Sequence, residues 1–322
     1  MSQRHPVPPQ EPEAERTRSR ARRIAGFVVS LILLALAIGA VVVSSEDITG
    51  AVRHARDAPL WMIALSAILP PLNLLLIGSS LWFITIRYGR VGFFEMISLV
   101  TSAWLLNFLP MKPGLMGRIA YHKRINEIRV RDSAKALGES VAMSAIATGA
   151  LLGVALLLLG VSSALVTLGA VAAPGALLLI GVPLARLRSE RFALLCAAML
   201  LRYLDILVWM ARYALLFALL DAPLTLADAV LITAASQLAQ LIPLVGNGLG
   251  AREWGVGLVG AAQGATAAIA LTADLLNRAS ELVLAVPLGI LATARIARRL
   301  AKRPKQAEAD TPQPPAQAPV QG

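Results

Sequence analysis

The chain is divided into apolar stretches of about 20 residues or more, each long enough to cross a hydrocarbon core. Inside such a core no water satisfies backbone groups, so only helices and closed barrels are permitted. The stretches are continuous and rich in Leu and Ala rather than alternating, which selects helices. Composition agrees, at 57% hydrophobic and 15% charged residues with a mean hydropathy of +0.68. The chain reads as an all-α polytopic membrane protein.

Full spans are expected at about 24–43, 60–86, 134–159, 163–184, 192–220 and 268–293, six in all. The first follows a polar leader and is too long for a signal-peptide core, so it reads as a retained span. Pro70-Pro71 in the second removes two backbone donors and predicts a kink. Residues 1–23 and 301–322 have compositions expected to stay disordered. Arg16, Arg18, Arg20, Arg22 and Arg23 precede the first span; Arg295, Arg298, Arg299, Lys302, Arg303 and Lys305 follow the last. Both termini are therefore expected in the cytoplasm of a cell membrane, which requires an even number of crossings. The net charge of +11 is accounted for by topology and anionic headgroups, not by nucleic acid.

Two shorter apolar stretches remain, 93–110 and 225–243. Were the first a full crossing, Lys112, Arg118, Lys123, Arg124, Arg129, Arg131 and Lys135 would lie outside, against only Glu127 and Asp132. That reverses the usual charge bias. A re-entrant hairpin over 93–118 avoids the conflict, and 225–262 then forms a second hairpin from the opposite face. The chain becomes two units, 24–160 and 161–300, each with three crossings and one hairpin. An odd number of crossings makes consecutive copies inverted, a transporter arrangement with its site near the midplane.

The hairpin tips share an order of residues. The first reads Asn107, Pro110, Lys112, Gly114, Gly117, Arg118; the second reads Gln240, Pro243, Gly246, Gly248, Gly250, Arg252, Glu253. Proline ends each helix, glycine allows a sharp turn, and a restarting helix presents free N–H groups that favour anions. Arg118 and Arg252 can add bidentate contacts to phosphate or carboxylate, and Lys112 a point charge. Asn107 and Gln240 can serve the opened backbone or a substrate. The last span carries Asp274, Asn277, Arg278 and Glu281, whose charges fall on one stripe. The span 192–220 carries Arg202, Asp205, Trp209 and Arg212; Arg202–Asp205 can pair within the helix, leaving Arg212 in need of another anion. Lys135 and Glu139 form an i,i+4 pair in the helix after the first hairpin. Charges at this depth belong to ion-pair ladders or to a polar path.

The segment Gln237–Glu253, QLAQLIPLVGNGLGARE, resembles the second signature of the lysylphosphatidylglycerol synthase transmembrane-region family, also called flippase-like. Its Gly-x-Gly-x-Arg-Glu pattern is matched by Gly248, Gly250, Arg252 and Glu253, and Asn277-Arg278 suits the arginine of the following helix. The first signature is matched by Asn107, Pro110, Gly114 and Arg118, but departs at Leu115 and at Glu139-Ser140. The resemblance implies a domain that moves an aminoacylated phospholipid between leaflets. No soluble transferase domain follows the last span, so lysyltransferase activity is not expected.

The leading expectation is a flippase for a lipid bearing an anionic, phosphate-containing headgroup: an anionic or aminoacylated phospholipid, or a polyprenyl-phosphate-linked lipid. Lys112, Gly114, Arg118, Arg202, Arg212, Gly248, Gly250, Arg252, Glu253 and Arg278 would form its site. Glu139, Asp205, Asp274 and Glu281 would supply coupling or structural charge. The alternative is a non-catalytic scaffold for a lipid- or glycan-modifying enzyme. Enzymatic activity is not expected, because no nucleophile–base pair or phosphate loop is present. His5, His54 and His122 lack metal-ligand spacing, and Cys196 is the single cysteine, so neither metal, cofactor nor intrachain disulfide is expected.

Overall fold

The computed structural model describes residues 57–107, 113–157, 163–241 and 250–309, with five helical positions of the first apolar stretch (Val28, Ile32, Ala35, Leu36, Gly39). The remainder of that expected span, Lys112 and Gly248 lie outside the described residues. Nine helices are present among them: α1 Leu60–Thr85, α2 Phe93–Leu106, α3 Pro113–Ile125, α4 Val130–Leu157, α5 Ala164–Arg188, α6 Glu190–Leu219, α7 Leu226–Leu241, α8 Ala251–Ala262 and α9 Ala267–Ala309.

Five of these, α1, α4, α5, α6 and α9, are long and apolar enough to cross a membrane. Their apolar side chains point outward. Only 11% of the most apolar window of α5 is buried, and Leu165, Leu177 and Leu187 are largely exposed. Buried positions instead include Arg212, Arg252, Asp205, Asp274 and Glu253. Leucine outside and charge inside is the reverse of a water-soluble bundle and suits a lipid solvent. This is a helical, membrane-embedded protein.

Local signals explain the boundaries. α1 remains one helix through Pro70 and Pro71. Pro113 opens α3, a position where a missing N–H costs nothing. Ser163 caps α5 by accepting from the Val166 amide at 3.5 Å. Gly250 precedes α8 with φ 79°, a conformation that needs glycine. α9 continues to Ala309, beyond its expected edge, through Ala-, Lys- and Gln-containing sequence of good helix propensity.

α1 and α6 pack together at the centre, joined by Ser80 Oγ donating to the Ala198 carbonyl at 2.8 Å. α9 and α4 each contact both of them. α2 packs on α1, α3 and α9; α7 packs on α6, α8 and α4. α5 lies against α6, where the Tyr203 hydroxyl donates to the Val171 carbonyl. Gly114 is where α3 meets α2: a Cβ there would fall 2.2 Å from the Ala103 carbonyl oxygen. The glycine admits a neighbouring backbone at this point.

Gly114→Ala must therefore push α3 off α2, and the expected cost is about 1–3 kcal/mol. Denaturant unfolding in detergent checks it. A loss below about 0.5 kcal/mol, typical of a surface change, would show that α3 does not need this close approach.

Candidate functional site

Two polar regions occupy the interior, one closed by ion pairs and one open. The closed region begins on α6, where Arg202, Asp205, Trp209 and Arg212 share a face. Arg202 Nη1 donates to Asp205 Oδ2 at 2.6 Å, the intrahelical pair expected from the spacing. Asn73 of α1 donates through Nδ2 to Asp205 Oδ1 at 2.6 Å and to the Asp205 carbonyl at 2.9 Å. Its Oδ1 accepts from Arg212 Nη1 at 3.0 Å. Arg212 finds its anion on α9, donating through Nη2 to Glu281 Oε1 at 2.8 Å.

Arg252, in the first turn of α8, donates through Nε to Asp274 Oδ2 at 3.0 Å and through Nη1 to Glu281 Oε1 at 3.1 Å. The Tyr213 hydroxyl lies 2.6 Å from Asp274 Oδ1 and 2.7 Å from Ser236 Oγ. A phenol has one proton, so it donates to the carboxylate and accepts from the serine. Arg278 donates through Nε to Glu253 Oε1 at 2.7 Å, and its Nη2 lies at ion-pair distance, 2.6 Å, from the same oxygen. The Trp209 ring faces two guanidinium carbons, Arg212 at 4.2 Å and Arg252 at 5.5 Å. Such contacts stabilise desolvated cations.

The network contains four arginines (202, 212, 252, 278) and four acids (205, 253, 274, 281), and so is neutral. Neutrality lets charges persist at this depth, since an unpaired ion in low dielectric is far more costly than a paired one. The α9 stripe forms a ladder between helices: Asp274 and Glu281 hold Arg252, and Arg278 holds Glu253. Arg252 and Glu253, adjacent in sequence, each pair with α9 rather than with each other. The reason is geometric, because successive helical residues diverge by about 100° and cannot face one another. Glu139 likewise does not pair with Lys135. It accepts from Arg87 and from the Tyr88 hydroxyl, 2.9 Å away, while the Lys135 ammonium stands 5.9 Å from the Tyr88 ring centroid.

The open region is a cavity of about 280 Å³ bounded by α1, α2, α3, α4, α6 and α7. It draws on both expected hairpins: Asn107 ends α2, and Gln240 lies near the end of α7. Arg118 and Arg202 bring positive charge to it, Ser140, Ser144 and Thr148 bring hydroxyls, and Leu74, Ile77 and Leu81 form an apolar wall. No carboxylate is among its lining residues. Arg118 is half-buried and makes no hydrogen bond or ion pair among the described residues. Gln237 is 6% exposed, and its Nε2 has no partner there either. Asn107 serves the backbone, its Oδ1 accepting from the Leu115 amide in the first turn of α3 at 3.2 Å. Gln240 donates to the Ser236 carbonyl at 3.4 Å.

The structure thus brings Arg202, Asp205, Arg212, Arg252, Glu253, Asp274, Arg278 and Glu281 into one network, and Arg118 with Arg202 into one cavity. Gly114 and Gly250 shape backbone, and Glu139 stands apart. Four contributors passed unmarked in the sequence: Asn73, Tyr213, Ser236 and Gln237. Asn73 was detectable as a lone amide in an otherwise apolar span. Comparison with family models, curated proteins and solved structures returns no match.

Glu281 is the anion shared by Arg212 and Arg252. Glu281→Gln leaves both short of charge, and the expected loss of stability is about 3–5 kcal/mol. Unfolding of the purified protein in detergent measures it. A loss under about 1 kcal/mol, the worth of an exposed pair, would mean the network is solvated and does not hold the helices.

Proposed function

We propose that the protein moves a lipid with an anionic, phosphate-bearing headgroup between leaflets, and that the headgroup enters the cavity beside Arg118. The observation that carries this reading is an arginine without a counter-ion in a cavity lined by no carboxylate. An arginine stays protonated at any physiological pH. Its charge in a membrane interior calls for an anion, and phosphate fits the planar guanidinium well. The apolar wall of Leu74, Ile77 and Leu81 suits the glycerol or prenyl end of such a lipid. Arg202 adds a second, partly committed guanidinium. In this assignment Arg212, Arg252 and Arg278, held by internal acids, act as fixed structural charge rather than as headgroup ligands.

Reading the chain as an inverted repeat supports transport. α2 and α7, with 14 and 16 residues, span only about 21 and 24 Å, short of a full hydrocarbon core. Each packs against the helix that follows it, as the limbs of a re-entrant hairpin do. The packing also survives exchange of the units. α2 lies on α9 and α7 on α4; α1 lies on α9 and α6 on α4; α1 lies on its own counterpart α6. The Asn73–Asp205 contact joins residues 132 apart, close to the 133 that separate Pro110 and Pro243. Direct contact between counterparts is what a two-fold axis between α1 and α6 would produce. Arg295, Arg298 and Arg299 at the end of α9 favour a cytoplasmic C-terminus in a cell membrane. Rocking of one unit against the other would then expose the cavity to alternate leaflets.

Proteoliposomes carrying a fluorescent anionic phospholipid test the proposal by dithionite quenching of the outer leaflet. The wild-type protein should move the label, and Arg118→Gln should slow movement at least about tenfold, the effect of a lost charge-assisted contact. Movement at the wild-type rate by Arg118→Gln would refute the assignment. No movement by wild type, with a lipid- or glycan-modifying enzyme copurifying, would favour the scaffold alternative.

A further inference from the structure

The open cavity and the closed network occupy matching places in the two units. Counted from the first residues of α4 and α9, Val130 and Ala267, the offset is 137. Asp274, Asn277, Arg278 and Glu281 then correspond to Leu137, Ser140, Val141 and Ser144. All four of these line the cavity. Counted from Phe93 and Leu226, the offset between α2 and α7 is 133. It carries Ser236 onto Ala103, which also lines the cavity. The 132-residue register of the Asn73–Asp205 contact carries Trp209 and Tyr213 onto Ile77 and Leu81, again in the lining. Each returning helix carries an arginine near its start, Arg118 eight residues after Pro110 as the sixth residue of α3 and Arg252 nine residues after Pro243 as the second residue of α8.

One property differs between the two places. Where Arg252 meets the carboxylates of Asp274 and Glu281, the counterpart positions near Arg118 are Leu137 and Ser144, and the space is empty of acid. We propose that the network is an internally filled copy of the substrate site, so that a phosphate beside Arg118 takes the place those two carboxylates take beside Arg252. This inference rests on the reading of the units as copies and of a phosphate-bearing lipid as cargo.

It narrows the cargo. The cavity offers cationic and neutral donors: Arg118, Arg202, the unpartnered Nε2 of the buried Gln237, and the hydroxyl of Ser144, now donating to its own helix at the Ser140 carbonyl at 2.8 Å. A hydroxyl proton can turn from that carbonyl to a phosphate oxygen. No carboxylate among the described lining residues would pair with an ammonium, and a buried amine without an acid is costly. The ligand class is a lipid phosphate without an amine, which sets aside the aminoacylated headgroup that the family resemblance implies.

The decisive variant supplies the missing acid. Ser144→Glu places a carboxylate where Glu281 stands in the other unit; Ser144→Gln fills the same volume without charge. Thermal midpoints of the purified full chain in a neutral detergent are read with dodecyl phosphate, with inorganic phosphate and with dodecyltrimethylammonium. Dodecyl phosphate should raise the wild-type midpoint, and the cationic amphiphile should not. Ser144→Glu should lose the shift, while Ser144→Gln should keep at least half of it. Equal shifts with Ser144→Glu and wild type would overturn the inference, as would complete loss with Ser144→Gln, which would make the effect steric. Should Ser144→Glu not fold, Arg118→Gln decides the matter. It breaks no internal pair, so it should melt within a few degrees of wild type and show no shift; a full shift would overturn the inference. A response to inorganic phosphate equal to that of dodecyl phosphate would retain the anion site but remove the lipid from the functional reading. No wild-type response to either phosphate would refute both.

Discussion

Three buried guanidiniums and the half-buried one of Arg202, matched by four buried carboxylates, tie together the centre of this protein. In a lipid solvent the apolar effect does not draw helices to one another, since hydrocarbon surrounds them already. Specific polar contacts must select which helices meet and in what register. Here Asn73 ties α1 to α6, Arg212 ties α6 to α9, and Arg252 ties α8 to α9. These four helices are therefore fixed in register by directional contacts that a leucine on either side could not make.

That rigidity gives the cavity its meaning. A cation in a membrane interior is tolerated when an anion lies beside it, and the network supplies one for each of its own arginines. Arg118 pairs with no acid among the described residues. The difference arises from a few positions on one helix face: Leu137 and Ser144 on α4 against Asp274 and Glu281 on α9. On the proposed reading of the units as copies, one serves as a structural anchor and the other as the binding site.

Much of the architecture was legible in the sequence, because the signals are local. Apolar length marked α1, α4, α5, α6 and α9, and short stretches ending in proline marked α2 and α7. Arg202–Asp205 followed from spacing alone. What the sequence could not disclose was which helices meet. Asp274, Arg278 and Glu281 lie on one stripe, but spacing does not say which helices they meet; tertiary contact joins them to α8 and α6. Arg118 and Arg252 each follow a Pro-Gly turn, and in the sequence only Glu253 beside Arg252 sets them apart. Their difference lies in helices that approach from elsewhere in the chain, so only packing separates the paired arginine from the open one. Asn73 and Gln237 carry no motif and acquire importance only from what surrounds them.

The central claim, a lipid phosphate held at Arg118, is tested most directly by the lipid that stays with the protein. Mass spectrometry of material purified in mild detergent should find an amine-free, phosphate-bearing lipid near equimolar with the wild-type chain and strongly depleted from Arg118→Gln. The same lipid retained equally by both proteins, or an aminoacylated lipid in its place, would contradict the account.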